Sequence, residues 1–135
     1  AYQTFIRPRL EYASAIWSPH QDYLIKSIEA VQNGAAHLIA HEYNRLSNIT
    51  KIKHSISLPH LQTRRNISLI CLLHETIYTN RQITLPLTKP HRSSSRLNNS
   101  MCFQCFSGQT LAYNNSALLR GIKMWNTLRS KHSNT

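Results

Sequence analysis

The sequence predicts an all-α fold, and three features of its 135 residues support this prediction. Apolar residues recur with the 3.6-residue period of a helix in several separate segments. Prolines and capping residues stand at the borders of those segments. Apolar residues make up 41% of the chain, which is sufficient for one modest core. We therefore expect a four- to five-helix irregular bundle, with a long basic loop rich in Ser, Pro and Asn before the last helix.

The first helical pattern lies in the stretch RPRLEYASAIWSPH, residues 7–20. Leu10, Ala13 and Trp17 have the i, i+3, i+7 spacing of a single helix face. Pro8 should kink this helix or start a new one, because a proline breaks the hydrogen-bond ladder of a helix interior. Ser18-Pro19 should end it, since the residue before a proline disfavours the helical conformation.

A long helix is predicted next, from about Asp22 to Ala40, with Asp22 as its N-cap. Its apolar residues form one continuous stripe, whereas Gly34 lies on the polar side and weakens the helix by about 1 kcal/mol relative to alanine. A short helix over residues 48–54 follows, with Ser47 as the candidate cap.

The most apolar helix is predicted to begin near Ser57, a possible cap, and to end at about Thr79. Pro59 would lie in its first turn, where the missing N–H of a proline has no cost. Six of the seven residues over 67–73 are apolar or cysteine. A helix that is apolar nearly all round should be the central, most buried one.

The character of the chain changes after residue 80. Residues 81–110 contain prolines, serines and basic residues without any period, which is typical of a loop or linker. A helical pattern returns in 111–135, where Leu118, Ile122 and Trp125 share one face. The predicted organisation is a helical core over 1–80, a basic loop over 81–110, and a C-terminal helix and tail over 111–135.

The charge balance indicates a polyanionic partner. Sixteen Lys and Arg residues stand against five acids, and the isoelectric point is about 10.2. Cationic surfaces gain free energy from counterion release on phosphates, so we favour nucleic acid over an anionic membrane surface. No apolar run is long enough to span a bilayer. The three cysteines suggest no disulfide framework, which is typical of an intracellular protein.

Seven basic residues are the candidates for contacts with RNA or DNA phosphates. They are Arg64, Arg65, Lys89, Arg92, Arg96, Arg120 and Lys123. Such binding would be electrostatic and would read little sequence. For the Arg64–Arg65 pair the sequence leaves an equal alternative, in which one of the two arginines forms an ion pair with Glu11 or Glu29 and orders the bundle.

Three aromatic residues, Tyr12, Trp17 and Trp125, are interpreted as structural. Aromatic side chains of this kind can stack on unpaired bases. However, Trp17 and Trp125 both lie on apolar stripes, so we expect them to pack in the core.

No catalytic residues or cofactors are predicted. Two-metal polymerisation needs clustered carboxylates that converge on Mg²⁺, and the only acids are Glu11, Asp22, Glu29, Glu42 and Glu75. Cys102 and Cys105 have CxxC spacing, but a zinc site needs two further ligands. They are therefore interpreted as free cysteines and only a weak candidate for metal binding.

Four segments, in order, resemble the region downstream of the polymerase core in non-LTR, LINE-type retrotransposon reverse transcriptases, particularly jockey-like elements. RPRLEYASAIWSPH resembles the block R-P-x-L-E-Y-A-x-x-x-W-x-P. IEAVQNGAAHLI, LPHLQTRRNISLICLLHETI and YNNSALLRGIKMWNTL are similar to the three blocks that follow it in that family. The chain departs from the family pattern at Asn33-Gly34, where paired basic residues are usual.

The resemblance implies that the chain is the C-terminal part of an RNA-directed DNA polymerase, the region at the thumb end and beyond. It would then act with the rest of the parent polymerase chain, which would hold the Mg²⁺-binding catalytic palm, and it would be intracellular and nuclear. The alternative is a free-standing or degenerate helical module, derived from a transposon, that binds another protein.

Overall fold

The computed structural model describes residues 1–44, 46–79, 87–91 and 102–132. Over these residues the prediction of an all-α fold is confirmed, since they form helices and no strands. A π-helical turn, Tyr2–Ile6, is followed by α1 (Arg7–Glu11), α2 (Ser14–Trp17), α3 (Asp22–Ala40), α4 (Ile49–Ser55), α5 (Leu61–Tyr78), α6 (Leu111–Asn114) and α7 (Ala117–His132). Residues 81–86 and 92–101 of the predicted basic loop lie outside the described residues.

The chain divides into two compact units, Ala1–Ser68 and Leu69–Thr135. The boundary falls inside α5, whereas the sequence-based division placed this helix entirely in its first segment. The buried positions of α5 explain why it takes part in both units. Leu61 is buried in the first unit, and Leu69 and Leu73 are buried in the second.

The core of the first unit forms where α3, α4 and the π-helical turn supply apolar side chains. Its buried members are Tyr2, Ala36, Ile52 and Leu58, and half-buried alanines and isoleucines pack around them. A fully buried glutamine, Gln32, lies beside this core: its side-chain oxygen accepts from the Tyr2 hydroxyl at 3.1 Å, and its amide donates to the Pro59 carbonyl at 2.8 Å. Because both ends of the amide are satisfied, Gln32 can be buried at little cost.

The bounds of α3 agree with the prediction, but the predicted caps of α3 and α4 are each wrong by one residue. Gln21 is the N-cap of α3, and Asp22 is its first helical residue, where its negative charge interacts favourably with the helix dipole. Asn48, rather than Ser47, caps α4. The extended backbone of Asn48 brings its side-chain oxygen to the N–H groups at the start of the helix.

The start of α5 is later than predicted, because its cap comes from another helix. Ser57 has a left-handed backbone (φ 55°), and α5 begins only at Leu61. The Leu61 N–H donates to a carboxylate oxygen of Glu29 on α3 at 3.1 Å. The helix was predicted to be the central, most buried one because it is apolar nearly all round, but its burial is confined to one stripe: Leu61, Leu69 and Leu73 are buried, whereas Ile67 is 55% exposed and Leu72 is 42% exposed.

The predicted packing of Trp17 is wrong as well. Pro8 lies in the first turn of α1, so it stands at the start of a new helix, which is one of the two predicted outcomes. The helix then breaks at Ala13, which adopts a left-handed backbone (φ 49°). After this break the i, i+7 spacing no longer places Leu10 and Trp17 on one face. Trp17 is 43% exposed, and its indole N–H donates to the Tyr12 carbonyl.

In the second unit, α7 buries Leu119, Ile122 and Trp125, which confirms the predicted helix and the burial of Trp125. An extended segment before it, residues 102–108, is held by two asparagine side chains. Asn126 accepts from the Phe103 N–H at 3.0 Å and donates to the Phe103 carbonyl at 2.8 Å. Asn114 forms the same pair of hydrogen bonds with Gly108, at 2.8 and 2.9 Å.

Candidate nucleic-acid interface

Arg64 is part of an ion pair inside the first unit. Its Nε and Nη2 both donate to the carboxylate of Glu11, the latter at 3.0 Å. This hydrogen bonding is the main cause that raises the pKa of Arg64 above its ordinary value. Arg7, four residues before Glu11, lies 3.9 Å from the same carboxylate. The sequence left open whether one arginine of the Arg64–Arg65 pair forms an ion pair with Glu11 or Glu29. Arg64 forms this ion pair with Glu11, and it links α5 to α1.

Arg65 lies in the buried stripe of α5 and is only 1% exposed. Its Nη2 donates to the side chain of Gln62 at 2.9 Å, while Nε and Nη1 have no hydrogen-bond partner. Burial lowers the pKa of Arg65, although Glu29 and Glu11 act in the opposite direction. A guanidinium placed in this way cannot reach a phosphate backbone at the surface, so the prediction that Arg65 is a contact residue does not fit this structure.

A buried lysine, which the sequence did not indicate, forms the centre of a second charged cluster. Lys53 is 3% exposed, and its Nζ lies 2.7 Å from an oxygen of Glu29. His60 Nδ1 lies 3.1 Å from the same oxygen. Burial acts to raise the pKa of Glu29, but the hydrogen bond and the charge of Lys53, the Leu61 N–H and His60 outweigh it, so this pKa lies below its ordinary value of 4.5. The cluster joins α3, α4 and the start of α5.

The other candidate contact residues belong to the second unit. Lys89 and Lys123 are exposed, and Arg120 is half-buried, with a pKa that burial lowers. Arg92 and Arg96 lie outside the described residues. The segment that carries Lys89 is tied to residues 102–108, because the Gln104 N–H donates to the Thr88 carbonyl at 2.8 Å.

The second unit also contains a cluster of aromatic rings with an arginine. The Trp125 ring lies 6.1 Å from His74, 6.4 Å from Tyr78 and 6.3 Å from Phe103, measured between centroids. The guanidinium carbon of Arg129 lies 5.0 Å from the Trp125 centroid. The sequence analysis missed this group, although the i, i+4 spacings of His74 with Tyr78 and of Trp125 with Arg129 place each pair on one helix face.

The charge of the chain is unevenly distributed between the two units. Each contains eight Lys and Arg residues, but the first has four acids and the second only Glu75. Ion pairs between described side chains occur only within Ala1–Ser68. The second unit therefore carries most of the excess positive charge.

Cys102 is half-buried and Cys105 is exposed, and both are free thiols. Within the described parts of the chain, no three His, Cys, Asp or Glu side chains are grouped as a metal site would require. The described helices include none with the length and apolar character needed to cross a membrane. Comparison of the chain with protein-family models, with curated proteins and with solved structures finds no match.

Proposed function

We propose that this chain is a non-catalytic helical part of a non-LTR retrotransposon reverse transcriptase, and that its second unit contacts the phosphate backbone of RNA or DNA. The observation that carries the nucleic-acid contact is the charge distribution. Eight basic residues share the second unit with one carboxylate, and Lys89 and Lys123 are exposed there. A surface of this kind attracts a polyanion through counterion release.

The reverse-transcriptase part of the proposal rests on the order of four sequence blocks. Glu11 in the first block forms an ion pair with Arg64 in the third block. The second contains Glu29 and Gln32, and Gln32 donates to Pro59 in the third. These contacts of block three with blocks one and two lie within the first unit, as expected for segments of one domain, and block three continues into the second unit. In the parent protein the chain would act beside the Mg²⁺-dependent palm, inside the nucleus.

A second candidate function is favoured by the apolar side chains at the start of the chain. Phe5, Tyr12 and Ile16 are 70–80% exposed, and Trp17 is 43% exposed. Four large apolar side chains exposed within residues 5–17 are a candidate for a protein interface. In the first proposal these side chains would pack on the polymerase part of the parent. In a free-standing interaction module they would bind a different protein.

The proposed nucleic-acid contact is tested by titrating the chain with a fluorescent single-stranded RNA at several salt concentrations. We expect the logarithm of the affinity to fall linearly with the logarithm of the salt concentration. Lys123→Ala should reduce the slope by about 1, since it removes one phosphate contact. Lys26→Ala is the matched control, because Lys26 is an equally exposed lysine on α3 of the first unit.

An affinity that is independent of salt would contradict the proposed contact, and equal effects of the two lysine variants would contradict its placement in the second unit. The reverse-transcriptase assignment has a separate test. Sequencing of the genomic DNA upstream should reveal a polymerase core in the same reading frame, with a metal-binding pair of aspartates. A start codon directly before Ala1 would instead favour the interaction module.

A further inference from the structure

The second unit contains a pocket whose walls combine aromatic rings with a cation. It is about 310 Å³ in volume and is lined by His74 from α5 and by Trp125, Leu128 and Arg129 from α7. This volume is at the lower end of the range for small-molecule pockets, about 300–1,000 Å³, and suits a single ring system. The pocket lies wholly within residues 69–135.

The rings around this pocket form a connected group. His74 and Tyr78 lie 4.7 Å apart between centroids with their planes tilted by 39°, and Trp125 lies next to both. Trp125 is only 5% exposed and forms the rigid base of the group, whereas Tyr78 is 44% exposed and His74 is also exposed. Of the two exposed rings, only His74 lines the pocket.

The position of Arg129 indicates what kind of ring the pocket takes. Its guanidinium lies 5.0 Å from the centroid of Trp125, and its side chain is half-buried. A guanidinium over an indole ring can also contact a second planar group and attract a phosphate. Leu128, 43% exposed, adds an apolar edge. A ligand that is both planar and anionic matches all of these groups.

We propose that this pocket binds an unpaired nucleobase of a single-stranded nucleic acid, with His74 as the stacking surface and Arg129 beside the adjoining phosphate. The inference rests on the proposed function, because the charge of residues 69–135, eight basic residues to one acid, favours a nucleic acid over an aromatic peptide as the ligand. Stacking on aromatic side chains tolerates any base, since every base has a π face. The pocket therefore distinguishes unpaired from paired strands without reading sequence.

The test compares two strands that differ only in their bases. The full chain is titrated with an oligothymidylate and with an abasic strand of equal length and charge. We expect the oligothymidylate to bind about tenfold more tightly, as one stacked base would give. His74→Ala should remove this preference without changing the affinity for the abasic strand. His74→Phe should retain it because a ring remains, and His54→Ala, at an exposed histidine of α4, is the matched control.

A second readout reports on the pocket directly. In a Trp17→Phe background Trp125 is the only tryptophan, and oligothymidylate should quench its fluorescence while the abasic strand should not. Equal binding of the two strands by the unmodified chain would overturn the inference, as would an equal loss for both strands in His74→Ala. In either case salt-dependent binding of the abasic strand would leave the proposed function standing. If neither strand binds at low salt, the proposed function itself fails, and the pocket inference fails with it.

Discussion

The two units of the molecule contain the same number of Lys and Arg residues and use them differently. In the first unit the carboxylate of Glu11 pairs with Arg64 and that of Glu29 pairs with the buried Lys53, and these ion pairs join helices. In the second unit Glu75 is the only acidic residue beside eight Lys and Arg residues. Net positive charge in the sequence thus has two separate roles, and only the distribution of the acids reveals which role applies where.

The largest expected effect on stability is that of Trp125→Ala, and Trp17→Ala is its comparison. Trp125→Ala should lower the free energy of unfolding by about 3–5 kcal/mol, because it removes a buried ring from the core of the second unit. Trp17→Ala should lower it by less, about 1 kcal/mol, since Trp17 is 43% exposed and is not a core residue. Urea unfolding monitored by circular dichroism measures both changes. Equal losses for the two variants would show that Trp17 is also a core residue.

An intermediate effect is expected from Glu29→Gln, which leaves the buried Lys53 without a carboxylate. We expect a loss of about 3 kcal/mol at neutral pH. Because the pKa of Glu29 is lowered in the folded state, its contribution is complete above its ordinary value of 4.5 and is lost as the pH falls through the lower, folded value. The difference between the native and variant proteins should therefore shrink in acid.

The matched control for this variant is Glu75→Gln, which changes an exposed acid in the second unit. Its effect on unfolding should stay within about 0.5 kcal/mol, and its pH profile should parallel that of the native protein. If Glu29→Gln behaves in the same way as Glu75→Gln, the paired charges of the first unit contribute nothing specific to its stability, and the contrast between the units disappears.

The smallest effects are expected from the helical glycines, one in each unit. Gly34→Ala and Gly121→Ala should each raise the free energy of unfolding by about 1 kcal/mol, the difference in helix propensity. A Cβ at Gly34 meets no atom within 4 Å, and one at Gly121 meets Leu69 and Leu73 at 3.7 Å, an ordinary contact. Thermal unfolding of each variant measures the gain. Destabilisation by Gly121→Ala alone would show that α5 and α7 are packed more tightly than this distance allows.

Local patterns in the sequence were sufficient to predict the fold class, the bounds of α3 and the buried face of α7. They failed where the outcome depends on a distant residue or on a rare backbone conformation. The start of α5 depends on Glu29, which lies 32 residues earlier in the chain. The exposure of Trp17 follows from the left-handed conformation of Ala13, a residue type that gives no sign of adopting it.

The candidate site was predicted less well than the fold, for a related reason. The sequence identifies a basic residue but not its partner, so Arg64, Arg65 and Lys123 were indistinguishable as candidates. Arg65 is at a buried position because the stripe of Leu61, Leu69 and Leu73 passes through it at four-residue intervals. The i, i+4 pairs His74–Tyr78 and Trp125–Arg129 of the aromatic cluster are local patterns, and a search of each helix for rings beside other rings or cations would have found them.

The paired amides of Asn114 and Asn126 have a consequence for how this chain can vary. A carboxamide carries the same donor and acceptor as a peptide group. Each asparagine side chain can therefore form with the backbone the pair of hydrogen bonds that a neighbouring β-strand would form. These hydrogen bonds reach the backbone at Phe103 and Gly108, and between them the Gln104 side chain accepts from the Thr88 hydroxyl at 3.0 Å and the Cys105 sulfur accepts from the Asn126 amide at 3.5 Å. An insertion or deletion of a single residue in this interval would therefore break one of the two pairs of hydrogen bonds.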